Sequence, residues 1–229
     1  MNLVQKISHY SLCEVIIFPY KIWRLFITIN DSFLPAKNNA QKSIINSLEK
    51  IGCNSTSHMN RNLLEHFEGT YLLLKKWGNS ESTCLAGLYH AIYGTETFSK
   101  ALIAAEKRHE LVKLIGEEAE KLVYYYSILD RRHFTKNLVN NNENFTIKSR
   151  LDQKIIKISM LEFRQLVNIF LADSLEQIFF VHRSHRYQYK DFFLKAKPFL
   201  GQKAYQEMSI AYFQPANTSG IASRIDSII

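Results

Sequence analysis

The stretch Glu81 to Gly94, ESTCLAGLYHAIYG, is apolar on nearly every side of a helix. A helix of that kind cannot lie on a surface and has to be enclosed by other helices. Ser80 precedes it as an N-cap, and the Tyr-Gly-Thr of residues 93–95 reads as the turn that ends it.

The flanking sequence supplies the enclosing helices. In NRNLLEHFEGTYLLLKKWG, Asn60 reads as a cap, Leu63, Phe67, Tyr71 and Leu74 share one face, and Gly78 is the stop. Gly69 inside this helix costs about 1 kcal/mol relative to alanine, so it marks the close approach of another helix or a ligand. Upstream, QKSIINSLEKIG places Ile44, Ile45, Leu48 and Ile51 at helical spacing before Gly52. Downstream, EKRHELVKLIG and EEAEKLVYYYSILD form two amphipathic helices broken at Gly116. A polar loop over Val139 to Phe145 follows, and FTIKSRLDQKIIKIS alternates about a turn as a short β-hairpin. Ser159 and Glu162 make a capping box for the long helix MLEFRQLVNIFLADSLEQIFFVH, and a last helix pair surrounds Pro198 and Gly201. The expected fold is an all-α bundle with one small β-hairpin.

Ahead of the bundle, Glu14 to Ile29 is apolar and aromatic but interrupted by Pro19, Lys21 and Arg24, too short and broken to span a bilayer. It is expected to dock on its own domain, with an anionic membrane surface as the alternative. The polar stretch Asn30 to Gln41 reads as a linker. The division is then an extension and linker over 1–40, a helical domain over 41–215 and a tail over 216–229.

The chain has 229 residues, 46% hydrophobic and 22% charged, the balance of a soluble globular protein able to fold without disulfides. Its three cysteines, Cys13, Cys53 and Cys84, lack metal-knuckle spacing and read as reduced, buried thiols of a cytoplasmic protein. The net charge of +8 comes without a Lys/Arg tract or a glycine-rich RNA motif, so it reads as a solvated basic surface rather than a specific nucleic-acid site.

Three polar residues interrupt apolar helix faces: His66, His90 and Asp173. A buried carboxylate is costly unless it is paired or metal-bound, and two imidazoles with a carboxylate are a familiar ligand set for a divalent ion such as Mn, Fe or Zn. Arg131 or Arg132 in DRRH offers a bidentate clamp for a phosphorylated small molecule. The HRSHR of His182 to Arg186 is a weaker candidate for the same role. Thr70 on the His66 helix and Tyr93 after His90 are further substrate contacts, and one of Tyr124, Tyr125 and Tyr126 lines a pocket.

LLEHFEGTYLLL, CLAGLYHAIYG and FLADSLEQ, in that order, resemble the first-His helix, the His-Asp helix and the late Asp helix of the HD-domain superfamily of metal-dependent phosphohydrolases. LIGEEAEKLVYYYSILDR is similar to the segment that follows in the guanosine-tetraphosphate hydrolase branch. The resemblance covers Asn60 to His182 and implies a metal on His66, His90 and Asp173 that polarises a phosphate. The GTY…WG…CLAGLYHAIYGT pattern is also similar to an uncharacterised bacterial domain family. Two departures stand against hydrolysis. Ala91 follows His90 where the superfamily has Asp, and Tyr93, Gly94 and Thr95 replace the acids that position water. Glu65, Glu68 or Glu96 would have to supply the missing carboxylate. The competing expectation is a catalytically inactive interaction module in which both histidines only hydrogen-bond inside the core.

Overall fold

The computed structural model describes residues 46–48, 51, 53, 57–58, 61–139, 144–178 and 189–213. The apolar extension, the linker, the Asn60 cap, the HRSHR stretch and the C-terminal tail lie outside them. Within the described residues the chain is an all-α bundle carrying the small β-hairpin that the periodicity predicts. Its helices are α1 (Leu63–Lys76), α2 (Glu81–Tyr89), α3 (Arg108–Ile115), α4 (Glu117–Ile128), α5 (Arg131–Asn137), α6 (Met160–Gln177), α7 (Lys190–Ala196) and α8 (Gln202–Phe213). Short 3₁₀ turns at Ala105–Lys107 and Lys197–Phe199 precede α3 and follow α7. No helix among the described residues is long and apolar enough to cross a membrane.

The hairpin pairs β3 (Thr146–Lys148) with β4 (Ile155–Lys157), and Ile147 faces Ile156. Ile147 is fully buried while Ile155 and Lys157 point outward, the alternation expected of a ribbon lying on a helical core. A second antiparallel pair, β1 (Ser57–His58) with β2 (Arg61–Asn62), was not anticipated from the sequence. At two residues per strand it leaves no periodicity to read.

Two helices share the centre. On α2, Ser80 accepts from the Thr83 amide, and Thr83, Cys84, Ala86, Gly87, Leu88 and Tyr89 are all buried. The longer α6 begins with the expected capping box, Ser159 accepting from the Glu162 amide at 3.1 Å and Glu162 accepting from the Ser159 amide at 2.7 Å. Twelve of its eighteen residues are buried, so it presents no polar face to solvent in its middle turns. The main packing partners of α1 are α2 and α6, and α2 also packs on α4. The buried face of α1 includes Leu63, Phe67 and Leu74 as expected, but it takes in His66, Thr70 and Leu73 in place of Tyr71. Tyr71 is half-buried and donates to Glu81.

Gly116 breaks α3 from α4 at φ 85°, a left-handed conformation in which a side chain is strained. The acids Glu117, Glu118 and Glu120 then occupy the first turn of α4, where they favour the helix dipole. At the far end of the bundle an aromatic core forms. Phe163 stacks on Phe145 with centroids 4.6 Å apart and meets Phe134 and Phe199 edge-on. Truncating Phe163 to alanine removes the hub of this cluster, a loss on the order of 3–5 kcal/mol. Cys53 and Cys84 are buried free thiols, pushed by burial up to about 11 and about 12, as small apolar residues should be.

Candidate metal centre

His66 comes from the first turns of α1. His90 is the C-cap residue of α2, and Asp173 lies in the last third of α6. The packing of α1 against both α2 and α6 brings the three side chains together, with one ligand atom from each within 4.8 Å of the others. All three residues are buried.

The donor atoms form a compact triangle. His66 Nε2 is 3.2 Å from His90 Nε2 and 3.2 Å from Asp173 Oδ1, and His90 Nε2 is 3.6 Å from Asp173 Oδ1. A point about 2.1 Å from all three lies roughly 0.8 Å off their plane, and such donors bind first-row divalent ions at about 2.0–2.2 Å. The triangle therefore needs no widening to hold an ion.

Each ligand is also oriented from behind. His90 Nδ1 donates to the Gly87 carbonyl at 2.7 Å, which leaves the Nε2 lone pair directed at the centre. His66 Nδ1 donates to Glu176 Oε2 at 2.5 Å, and Glu176 has no solvent exposure. Tyr126 donates to Asp173 Oδ2 at 2.6 Å, so the other carboxylate oxygen faces the histidines. Outer partners of this kind, a backbone carbonyl and a carboxylate on the two imidazoles, are the usual supports of histidine ligands. Phe67 and Tyr126 meet the His90 ring edge-on and exclude water from that side.

The electrostatics follow from the same contacts. Burial works to lower the His66 pKa, but the Glu176 and Asp173 carboxylates outweigh it and hold it at about 9. Without an ion these contacts favour the protonated ring, whose Nε2–H would point between His90 Nε2 and Asp173 Oδ1. Burial would raise the Asp173 carboxyl, yet the two histidines keep it well below the usual carboxylate range. Burial, reinforced by Asp173, pushes the Tyr126 phenol well above its ordinary value, so it remains a donor.

Arg131 reaches this cluster. Its Nη2 is 4.0 Å from Asp173 Oδ2, its Nη1 donates to the Tyr189 hydroxyl at 2.8 Å, and its guanidinium lies 5.0 Å from the Phe170 ring centre. Arg132, one residue on, is exposed on α5. Glu96 accepts from the Arg131 amide at 2.9 Å, at the start of α5.

Other expected site residues are placed differently. Thr70 is fully buried and its hydroxyl donates back to the His66 carbonyl at 3.0 Å, a bond within the helix that uses its one proton. The space beside Gly69 is filled by the Glu176 side chain rather than open to a ligand. Tyr93 belongs to a separate cluster. Its hydroxyl donates to Glu120 at 3.0 Å, and Arg108 grips the same carboxylate through Nε at 2.6 Å and Nη2 at 2.7 Å. Glu65, Glu68 and Glu96 do not join the donor group among the described residues. The carboxylate that sequence reasoning missed is Glu176, and with it Gln177, whose amide nitrogen donates to Asp173 Oδ1 and lies 3.4 Å from His66 Nε2. Gly69 was the available signal, since a glycine there announces that something comes close to the His66 helix.

Comparison with known proteins adds one finding. Residues 47–131 match the model of a family described as Domain of unknown function (DUF6817). The match is less than half of the chain, includes His66 and His90, and ends at Arg131, before Asp173. No curated protein and no solved structure matches.

Proposed function

We propose that this chain is a divergent HD-type domain whose His66, His90 and Asp173 hold one first-row divalent ion, with Arg131 beside it as the contact for a phosphorylated small molecule. The observation that carries the reading is the pair of fixed imidazoles. Both are anchored through Nδ1 and both turn Nε2 to the same point, together with one oxygen of Asp173. Structural histidines need only one satisfied contact each, and nothing in core packing requires two of them to aim the same nitrogen at a carboxylate.

The mixed set of two nitrogens and one oxygen suits Mn, Fe or Zn better than an all-oxygen cation. Bound there, the ion would supply positive charge beside Arg131 for a phosphate group. The chain's own part is positional. Glu176 and Gly87 hold the imidazoles, Tyr126 holds the carboxylate, and Arg131 offers its planar N–H groups to an anion. Ala91 is buried and its side chain carries no oxygen, so the chain lacks the aspartate ligand and the water-activating acids that the superfamily resemblance implies. Binding without efficient hydrolysis is the proposed outcome.

The test is metal analysis of protein purified without a histidine tag. About one ion per chain, lost in His66→Ala and in Asp173→Ala, is the expected result. One observation favours a second reading, the inactive module. His66 as an imidazolium between Glu176 and Asp173 is already a satisfied ion triad. Protein that contains no metal, takes up none, and keeps its melting temperature in EDTA would establish that reading instead.

A further inference from the structure

Gln177 is not explained by the three-ligand centre. It lies one helical turn beyond Asp173 on α6, so the two side chains share a face. Its amide nitrogen donates to Asp173 Oδ1 and lies 3.4 Å from His66 Nε2, against two of the three donor atoms. The contact to Asp173 Oδ1 is shorter than any edge of the triangle, but the 3.4 Å to His66 Nε2 is close to those edges of 3.2 to 3.6 Å. The latter also matches the separation of about 3.3 Å between ligands in a tetrahedral site with bonds near 2.0 Å. The three donor residues are buried, whereas Gln177 as a whole is only partly so.

We infer that Gln177 supplies the fourth protein ligand of the metal, through its amide oxygen, and closes the site. This rests on the metal reading proposed above and goes beyond it. The chemistry is a rotation of the terminal amide. Without an ion, the amide N–H satisfies the carboxylate oxygen. With an ion among the donors, an N–H directed there faces a positive charge, while the carbonyl oxygen of the same group is a good ligand for it. Turning the amide over exchanges nitrogen and oxygen, and the side chain draws back from Asp173 Oδ1 as the ion comes between the two oxygens. Gln177 thus takes the coordination position left open by Ala91. A site with four protein ligands is closed in the structural manner, whereas a hydrolytic site keeps a position for water. The ion then ties α1, α2 and α6 together and sets the charge beside Arg131, rather than activating a nucleophile.

The test uses the full chain and its variants Gln177→Ala, Gln177→Met and Gln177→Glu. Gln177 is partly exposed near the end of a helix, so each substitution is expected to leave the fold intact by circular dichroism. Co(II) and Zn(II) affinities are measured by titration calorimetry, and the coordination number is read from the visible spectrum of the Co(II) protein. The wild type should show the strong absorption of four-coordinate cobalt. Gln177→Ala and Gln177→Met should bind at least tenfold more weakly, with a spectrum shifted by water in the fourth position. Gln177→Glu should keep the four-coordinate spectrum. Wild-type affinity and an unchanged spectrum in both Gln177→Ala and Gln177→Met would overturn the inference while leaving the three-ligand centre standing. No binding by the wild type would overturn both.

Discussion

A Cβ on Gly69 would stand 2.6 Å from Oε1 and 2.7 Å from Cγ of Glu176. The absent side chain on α1 is what allows α6 to bring a carboxylate against His66. Elsewhere in an exposed helix, Gly→Ala adds up to about 1 kcal/mol of stability. Here it should do the reverse. Glu176 is fully buried and cannot swing to solvent, so Gly69→Ala has to break the His66 contact or push the helices apart. We expect a loss on the order of 1–3 kcal/mol, the range for overpacking a core. In a Glu176→Ala background the same substitution should be neutral or stabilising. Thermal melts of the four proteins check this, and additive effects would refute the steric account.

Tyr126→Phe removes one hydroxyl and leaves the ring in place. The hydroxyl is the donor that keeps Asp173 Oδ2 turned away from the histidines. Hydrogen bonds to charged groups contribute roughly 1.5–3 kcal/mol, and loss of an outer support typically lowers metal affinity about 10–100-fold. Calorimetric titration of the variant should show a drop in that range, whereas Tyr125→Phe, at a half-buried residue whose ring lies beside Lys121, should not.

The all-α class, the capping box and the hairpin were legible because each has a local cause: spacing, a cap, an alternation. His66, His90 and Asp173 were legible as a set because each interrupts an apolar run. What could not be read was which second partners arrive from other helices. Glu176 sits three residues after Asp173 in a stretch that looks like an ordinary helix surface, and only the packing of α6 on α1 buries it. Tyr93 and Thr70 went astray for the opposite reason. Their neighbourhood in sequence to the histidines suggested a shared pocket, but helix geometry sends Tyr93 to Glu120, and Thr70 back onto its own helix.

The metal-free protein should have a lopsided pH profile. His66 is held at about 9, above its ordinary 6.5, so the protonated ring is a stabilising form. Its contribution is full below pH 6.5 and is lost as the pH rises through about 9. Asp173 is held well below its ordinary 3.8, so its contribution is present above that value and fades as the pH falls below it. Melting temperatures in EDTA should therefore peak between about pH 5 and 6.5 and decline toward pH 9. Replacing His66 with Asn should flatten the alkaline side. A melting temperature that stays level to pH 9 would show that His66 is not charged in the fold.

Arg108 and Glu120 offer a control far from the metal argument. Glu120 is buried, whereas Arg108 is about a third exposed, with side-chain values of 3% and 36%. Removing Arg108 leaves a buried carboxylate with Tyr93 as its remaining partner among the described residues, and because water can reach the vacated Arg108 side the cost should be about 1–3 kcal/mol. Glu120→Gln keeps an acceptor for both partners and should cost less. Neither should change the metal content of folded protein, because the cluster contains no donor of the centre. Loss of the ion in folded Arg108→Ala would mean that the two clusters are coupled.

The resemblance to guanosine-tetraphosphate hydrolases gives the last test its substrate. Hydrolysis there would need a metal with an open position and an acid to activate water. This chain has Ala91 where the resemblance calls for an aspartate, Tyr93 bonded to Glu120, and Gln177 against the donors. Turnover of guanosine tetraphosphate by metal-loaded protein should accordingly be absent or far below the ordinary enzymatic range of about 1–1000 per second. Ala91→Asp alone should not restore it, because the water-positioning acids would still be missing. Binding is a separate matter. If Arg131 contacts the phosphate, Arg131→Ala should weaken binding of a non-hydrolysed guanosine nucleotide or of inorganic phosphate at least tenfold, while Arg132→Ala, on the exposed side of α5, should not. Equal affinities in both variants would remove Arg131 from the anion site, and rapid hydrolysis by the wild type would show that the missing aspartate is not required.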